Sequence, residues 1–122
     1  MLERGEGKIV NLALLLSFQG GQTVPAYAAS KGAVAQLTKA LCNEWSSQGV
    51  NVNAIAPGYM ATEMNAALLA DPDRLAALPA RIPSGRWGQP DDVGDVAVFL
   101  ASAASGYVHG QVLAVDGGWT AR

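Results

Sequence analysis

Hydrophobic positions along the chain change period several times, and each change marks an element. Lys8-Ile9-Val10-Asn11-Leu12-Ala13 is a short β-branched run introduced by Gly5-Glu6-Gly7. Such a glycine-bounded run reads as a buried strand. Its apolar character continues through Leu14, Leu15 and Leu16, then breaks at the polar, glycine-rich residues 17–23. A long helix is expected over about residues 25–48, with Val34, Leu37, Leu41 and Trp45 at helical spacing and Lys39 and Asn43 elsewhere on the wheel. Gly49 stands where helices commonly end.

Residues 50–56 set Val50, Val52, Ala54 and Ala56 against Asn51 and Asn53, with Ile55 breaking the alternation. This is a strand, stopped by Pro57-Gly58. Residues 59–88 form a long excursion with helical patches at 63–70 and 72–80, split by Asp71-Pro72. Pro90 at a first helical position, followed by Asp91 and Asp92, starts another helix, because both acids suit its positive end. Val93, Val96, Ala97 and Leu100 form its expected buried stripe, and residues 111–115 are a last strand ending at Asp116-Gly117-Gly118. Strands separated by helices imply right-handed βαβ crossovers. The expected fold is therefore α/β, with three parallel strands and flanking helices. Its first strand would present an apolar, unpaired edge.

Composition narrows the function classes. The 122 residues suit one domain, 50% hydrophobic and 15% charged, which is globular rather than disordered. The formal net charge is -2, and the basic residues are scattered, so no stripe awaits a phosphate backbone and nucleic acid is not an expected partner. A single cysteine, Cys42, and a single histidine, His109, leave no disulfide and no cluster for zinc, so no metal site is expected. Met1-Leu2-Glu3-Arg4-Gly5-Glu6-Gly7 lacks the apolar core of a signal peptide, and no apolar run approaches the ~20 residues needed to span a bilayer. A reducing, cytoplasmic setting without membrane contact is the expectation.

Tyr27 and Lys31 lie four residues apart at the start of the long helix, so their side chains share a face. A free phenol is too weak an acid for proton transfer at neutral pH. A lysine ammonium nearby favours the phenolate, and the helix amino end acts in the same sense. A tyrosine in such a setting can serve as general acid or base toward an alcohol or carbonyl oxygen. The pair alone is common on helix surfaces, and Tyr27 read without context is far more often a half-buried aromatic beside a solvated lysine.

Context decides between them. Tyr27-Ala28-Ala29-Ser30-Lys31-Gly32-Ala33-Val34 resembles the active-site signature of the short-chain dehydrogenase/reductase family. Gly7-Lys8-Ile9-Val10-Asn11 before it and Asn51-Val52-Asn53-Ala54-Ile55-Ala56-Pro57-Gly58 after it resemble that family too. Trp87-Gly88-Gln89-Pro90-Asp91-Asp92-Val93, Phe99-Leu100-Ala101-Ser102 and Val115-Asp116-Gly117-Gly118 complete the likeness in family order. Ser17-Phe18-Gln19-Gly20-Gly21, residues 56–62 and the ending Asp116-Gly117-Gly118-Trp119 resemble its sugar-acid enzymes. The resemblance implies a Rossmann-like, doubly wound sheet and NAD or NADP as cofactor, with a small-molecule sugar acid or ketone as substrate. It makes Tyr27 the proton donor or acceptor. Lys31 would assist it and bond the nicotinamide ribose, while Pro57, Gly58, Met60 and Thr62 would hold the nicotinamide and pyrophosphate. Leu14, Gln19 and Met64 would line the substrate pocket. The long helix, and the last helix with the last strand, resemble surfaces that family members use to form dimers and tetramers, so a homo-oligomer is expected.

Two departures qualify this. The family serine that bonds the substrate oxygen lies thirteen residues before the tyrosine, which is Leu14 here. Leucine offers no donor; losing one typically costs about 3 kcal/mol of transition-state stabilisation, about a hundredfold in rate. Ser17 could replace it only through a rebuilt loop. Second, Gly5-x-Gly7 lacks the third glycine and precedes a strand, so the glycine-rich turn that receives the pyrophosphate is not present. Residues 1–122 are thus expected to be a truncated domain without the dinucleotide-binding half, inactive or impaired by itself. The alternative is a non-catalytic oligomerising fragment with a vestigial site. A remoter one is a serine hydrolase using Ser30 in Ala28-x-Ser30-x-Gly32 with His109, although that elbow requires a strand immediately before the serine.

Overall fold

A computed structural model describes residues 1–65, 70 and 72–121. Its centre is strand β2, Val50–Pro57, flanked by β1, Gly7–Leu12, and β3, Val112–Val115. Both neighbours run parallel to it in the order β1-β2-β3, with Ile9 opposite Val52 and Ala54 opposite Val112. Every residue of β2 is buried. That explains why Ile55 breaks the alternation: a central strand covered by helices has two inward faces.

Buried Asn51 and Asn53 are satisfied by the loop that leads into β3. Asn53 Nδ2 donates to the Val108 carbonyl at 2.8 Å, Gln111 N donates to Asn53 Oδ1 at 3.0 Å, and Asn51 Nδ2 donates to the Val108 carbonyl at 3.1 Å. These bonds fix where β3 begins. His109 belongs to the same network and is half-buried. Its Nδ1 lies 3.0 Å from Ser46 Oγ and its Nε2 lies 3.0 Å from Asn51 Nδ2. Local spacing carries no sign of this, because the bonds join segments remote along the chain.

Helix α1, Pro25–Trp45, opens on its proline and tightens into a 3-10 turn at Ser46–Gln48. Gly49 then turns the chain at φ 79, where only glycine fits easily; a Cβ there would overlap the Gly5 carbonyl. The face of α1 against the sheet is rotated from the expected stripe. Ala35 and Thr38 are buried, Val34, Leu41 and Trp45 are half-buried, and Leu37 is 50% exposed. Small side chains let the helix approach Ala13, Ala54 and Ala56, and Val34 packs on the edge of that cluster. Thr38 is tolerated inside because Asn11 Nδ2 donates to its hydroxyl at 2.9 Å, and it donates to the Val34 carbonyl at 2.8 Å.

The excursion after β2 begins with a 3-10 turn, Glu63–Asn65, at the start of the helical patch expected over 63–70; residues 66–69 of that patch lie outside the described residues. Helix α2 runs Pro72–Arg81 and α3 runs Pro90–Ala101. On α3, Leu100 is buried and Val93, Val96 and Ala97 are half-buried, as the stripe predicts, while Val98 and Phe99 face outward. No described helix is long and apolar enough to cross a membrane.

Candidate active site

Tyr27 sits in the first turn of α1 and is 41% exposed, so its ring is not sealed in packing. The Lys31 ammonium lies 5.7 Å from the centre of that ring, as four-residue spacing on a helix dictates. It also donates to the carbonyl of Leu12, the last residue of β1, at 2.9 Å. Because Leu12 pairs with Ile55 in register, this bond places the Tyr27–Lys31 pair at the carboxyl end of the parallel sheet, where the Pro57–Gly58 turn also leaves β2. Open α/β sheets present their ligand sites at that end.

Leu14 follows β1 in an extended conformation and is half-buried. The nearby Ser17 does not take the place of a donor. Its hydroxyl donates to the Lys31 carbonyl at 2.6 Å and accepts from Leu14 N at 3.3 Å. That hydroxyl ties the loop to α1, a role the sequence did not announce. Gln19 lies further along the same loop and is exposed. Just before α1, Thr23 takes a left-handed conformation at φ 65, a strained choice for a β-branched residue.

The Pro57–Thr62 segment is held from behind. Gly58 N donates to the Val115 carbonyl at 2.9 Å, and a Cβ at Gly58 would come 2.7 Å from Asp116 Cα, so only glycine allows the close approach. Ala61 N donates to the Gly88 carbonyl and Gly88 N to the Tyr59 carbonyl. The Met60 side chain is buried against Gly88, which leaves its backbone rather than its thioether for any ligand. Thr62 is half-buried, and the side chain of Met64 lies outside the described residues.

Asp116 organises the turn beyond β3. Burial works to raise the pKa of its carboxyl, but hydrogen bonds from the Thr120 hydroxyl and from the backbone of Thr120 and Gly118 outweigh it, holding the carboxyl below the usual range. The turn brings Trp119 against Tyr59, ring centres 4.8 Å apart, and Arg81 at the end of α2 lies 4.5 Å over Trp119. Tyr59 also meets Trp87 edge-on at 5.9 Å. Neighbouring Arg86 forms a two-pronged bond with Asp92 at 2.8 and 2.9 Å, and Asp92 accepts from Gln89 N as well. Arg86 first and Gln89 second hold the Asp92 carboxyl far below its ordinary value.

A cavity of about 180 Å³ lies between these parts, lined by Tyr59, Met60, Ser84, Arg86 and Asp116 among others. It does not include Tyr27 or Lys31, which stand at a more open surface. The Tyr27–Lys31 pair therefore lies outside this cavity, which is lined by residues of the Pro57–Thr62 segment, the end of β3 with the turn beyond it, and residues 84–92. The hydrolase arrangement is not formed. Ser30 lies inside α1 and donates to the Tyr27 carbonyl at 2.7 Å, while His109 is bonded to Ser46 and Asn51. No group of three metal-ligating side chains occurs among the described residues.

Comparison with known proteins gives one consistent answer. A family model described as enoyl-(acyl carrier protein) reductase matches residues 1–120. The 2-dehydro-3-deoxy-D-gluconate 5-dehydrogenase of Bacillus subtilis is 61% identical over 122 residues, which are 100% of this chain and 48% of the relative. Gluconate 5-dehydrogenase of Gluconobacter oxydans is 48% identical over 98% of this chain and 47% of its own. Among solved structures, the gluconate 5-dehydrogenase of Burkholderia cenocepacia in complex with NADP and tartrate superposes with a TM-score of 0.95 at 48% identity, covering 99% of this chain and 48% of that one. An NADP-bound structure from Beutenbergia cavernae reaches a TM-score of 0.97 at 61% identity, covering 100% and 49%. The chain thus spans about half the length of these relatives, and that half is their carboxy-terminal one.

Proposed function

The chain belongs to the short-chain dehydrogenase/reductase family, and from that premise we propose that it carries the proton-transfer site of an NAD(P)-linked oxidoreductase acting on a sugar acid. The observation that carries this reading is the Tyr27–Lys31 pair on one turn of α1, at the carboxyl end of the sheet. The relatives named for gluconate derivatives support the substrate class, and the NADP bound in the solved relatives supports the cofactor.

The donor set fits a nicotinamide riboside. The phenol and ammonium offer hydrogen bonds to ribose hydroxyls, and the backbone of Pro57, Gly58, Met60 and Thr62 forms a shelf that Gly58 keeps close to Asp116. Tyr27, Lys31 and that shelf would hold the cofactor, whose bound reduced form supplies a hydride to the substrate carbonyl carbon. The chain's own residues do the rest. Tyr27 delivers its phenolic proton to the carbonyl oxygen as charge develops there, and in the reverse direction it takes the proton from the alcohol. Lys31, held by the Leu12 carbonyl and by the Ser17 bond to its own carbonyl, places positive charge beside the phenolate left behind. Leu14 supplies no donor to the developing oxyanion, so we propose turnover reduced by about a hundredfold relative to a site with a hydroxyl there. The exposed faces of α1 at Leu37 and of α3 at Val98 and Phe99 support assembly as a homo-oligomer. The lone, half-buried Cys42 accords with a reducing, cytoplasmic setting.

Titration with NADPH and with NADH, followed by turnover assays on a panel of keto-sugar acids, tests the proposal. Micromolar cofactor affinity with turnover of a keto acid would bear out the site and overturn the expectation that residues 1–122 are inactive by themselves. Cofactor binding without turnover of any ketone would favour the vestigial-site reading that Leu14 suggests.

A further inference from the structure

Side chains from separate segments stand in a column against the Pro57–Thr62 shelf. The Arg81 guanidinium, at the end of α2, lies 4.5 Å over the Trp119 ring. Trp119 meets Tyr59 at 4.8 Å with the ring planes 65° apart, and Tyr59 meets Trp87 at 5.9 Å and 82°. Tyr59 is therefore gripped by two tryptophans at steep angles, an arrangement that aromatic pairs favour, and a cation backs one of them. Trp119 is half-buried and Trp87 is buried. The backbone leading to Trp119 permits this approach. Gly117 and Gly118 turn at φ 64 and 90, and a Cβ on Gly118 would come 3.0 Å from Pro83 Cγ. Ser84 N donates to the Gly117 carbonyl at 3.0 Å, so the chain just past α2 is bonded to the turn that carries Trp119.

The shelf offers a ligand mainly backbone, because the Met60 side chain is turned in against Gly88 and Gly58 has none. The alignment of such a surface is set by what packs on it. Backbone bonds hold it at two places. Gly58 N donates to the Val115 carbonyl, while Gly88 N donates to the Tyr59 carbonyl and Ala61 N to the Gly88 carbonyl. Tyr59 lies between these bonds, and its ring is where Trp119 and Trp87 take hold of the segment. We propose that Trp119 is a positioning residue for the Pro57–Thr62 shelf, acting through Tyr59, and that Arg81 sets its hold from α2. The placement of α2 and the alignment of the shelf's peptide groups then vary together. A tryptophan that merely covered apolar surface would need neither Arg81 nor a flat ring, since burial has no direction. That the shelf meets a nicotinamide rests on the proposed function; the coupling within the column does not.

Amide hydrogen exchange and NADPH titration test the proposal, on the parent chain, Trp119→Phe, Trp119→Leu, Arg81→Gln, and Arg81→Gln combined with Trp119→Leu. Trp119→Leu should speed exchange at Ala61 and Gly88 by roughly tenfold. It should leave unchanged the Ala54 amide, which donates to the Gln111 carbonyl within the sheet. Trp119→Phe keeps a ring for Tyr59 and should hold the parent rates to within about twofold. Arg81→Gln should speed the same two amides by about threefold in the parent and have no effect once Trp119 is replaced by leucine. The NADPH dissociation constant should rise roughly tenfold in Trp119→Leu and stay near the parent value in Trp119→Phe. Equal acceleration at Ala54, no retention by phenylalanine, or additive effects of the two single changes would overturn the proposal. So would faster exchange at the shelf with NADPH affinity unchanged. Should the parent bind no NADPH, the exchange pattern alone decides the coupling, and that failure counts only against the proposed function.

Discussion

The hydroxyl of Ser17 donates to the carbonyl of Lys31 at 2.6 Å. One bond thus joins the loop that would furnish the oxyanion donor to the helix that bears Tyr27, the proposed proton donor. It also removes the nearest hydroxyl from any catalytic role, because Ser17 Oγ is already occupied by Lys31 on one side and Leu14 N on the other. On the proposed function, Leu14 is consequently the residue that limits the site.

Leu14→Ser should raise keto-acid reduction by about a hundredfold, the converse of losing one oxyanion donor. The gain should appear in kcat and kcat/KM together, since the added bond strengthens as charge develops. Steady-state kinetics of the two proteins checks this. An unchanged rate would show that the position does not face the reacting oxygen.

Ser17→Ala should weaken the same site from the other direction. Removing a hydroxyl with two partners in a partly buried loop costs about 1–3 kcal/mol. Urea unfolding should record that loss, and amide exchange should quicken at Leu14, whose N–H loses its acceptor.

Thr23 carries strain that a glycine would relieve. Its φ of 65 immediately precedes α1, and left-handed conformations cost β-branched residues about 1–3 kcal/mol. Thr23→Gly loses part of that gain to the greater freedom of the unfolded chain. The net expectation is stabilisation of about 1 kcal/mol, read from the denaturation midpoint.

Asp116 ties stability to pH with a definite sign. Its carboxyl is held below its unfolded value, so its stabilising contribution is complete above the ordinary aspartate range near pH ~4 and is lost as pH falls through the lower folded value. Asp116→Asn should therefore be less stable than the parent at pH ~6, with the two unfolding midpoints converging as the solution is acidified below pH ~4. Parallel curves across that range would show that the turn does not depend on the charge.

Much of this arrangement was legible in the sequence, and the exceptions share a cause. Glycine boundaries, Pro25 and Pro90 at helix starts, and the β-branched runs located all three strands and both main helices, because those signals are local. Tyr27 and Lys31 were found for the same reason: four residues on a helix fix their proximity. What stayed hidden depends on tertiary contact. The buried face of α1 passes through Ala35 and Thr38 rather than Leu37, since close approach to Ala54 and Ala56 rewards small side chains over large ones. The bonds of His109 to Ser46 and Asn51, and the stack of Tyr59, Trp119 and Arg81, join residues far apart in the chain. Gly117-Gly118 was legible as a turn, but the reach of Asp116 back to Gly58 was not.

On the proposed function, the phenol of Tyr27 exchanges a proton with substrate while Lys31 supports it. The most direct measurement is the rate of NADPH oxidation with 5-keto-D-gluconate by this protein and by Tyr27→Phe. Oxidation should be measurable and should fall by at least about a hundredfold when the hydroxyl is removed, the usual scale for losing a positioned general acid. Equal rates in the two proteins, or no oxidation by either, would contradict it.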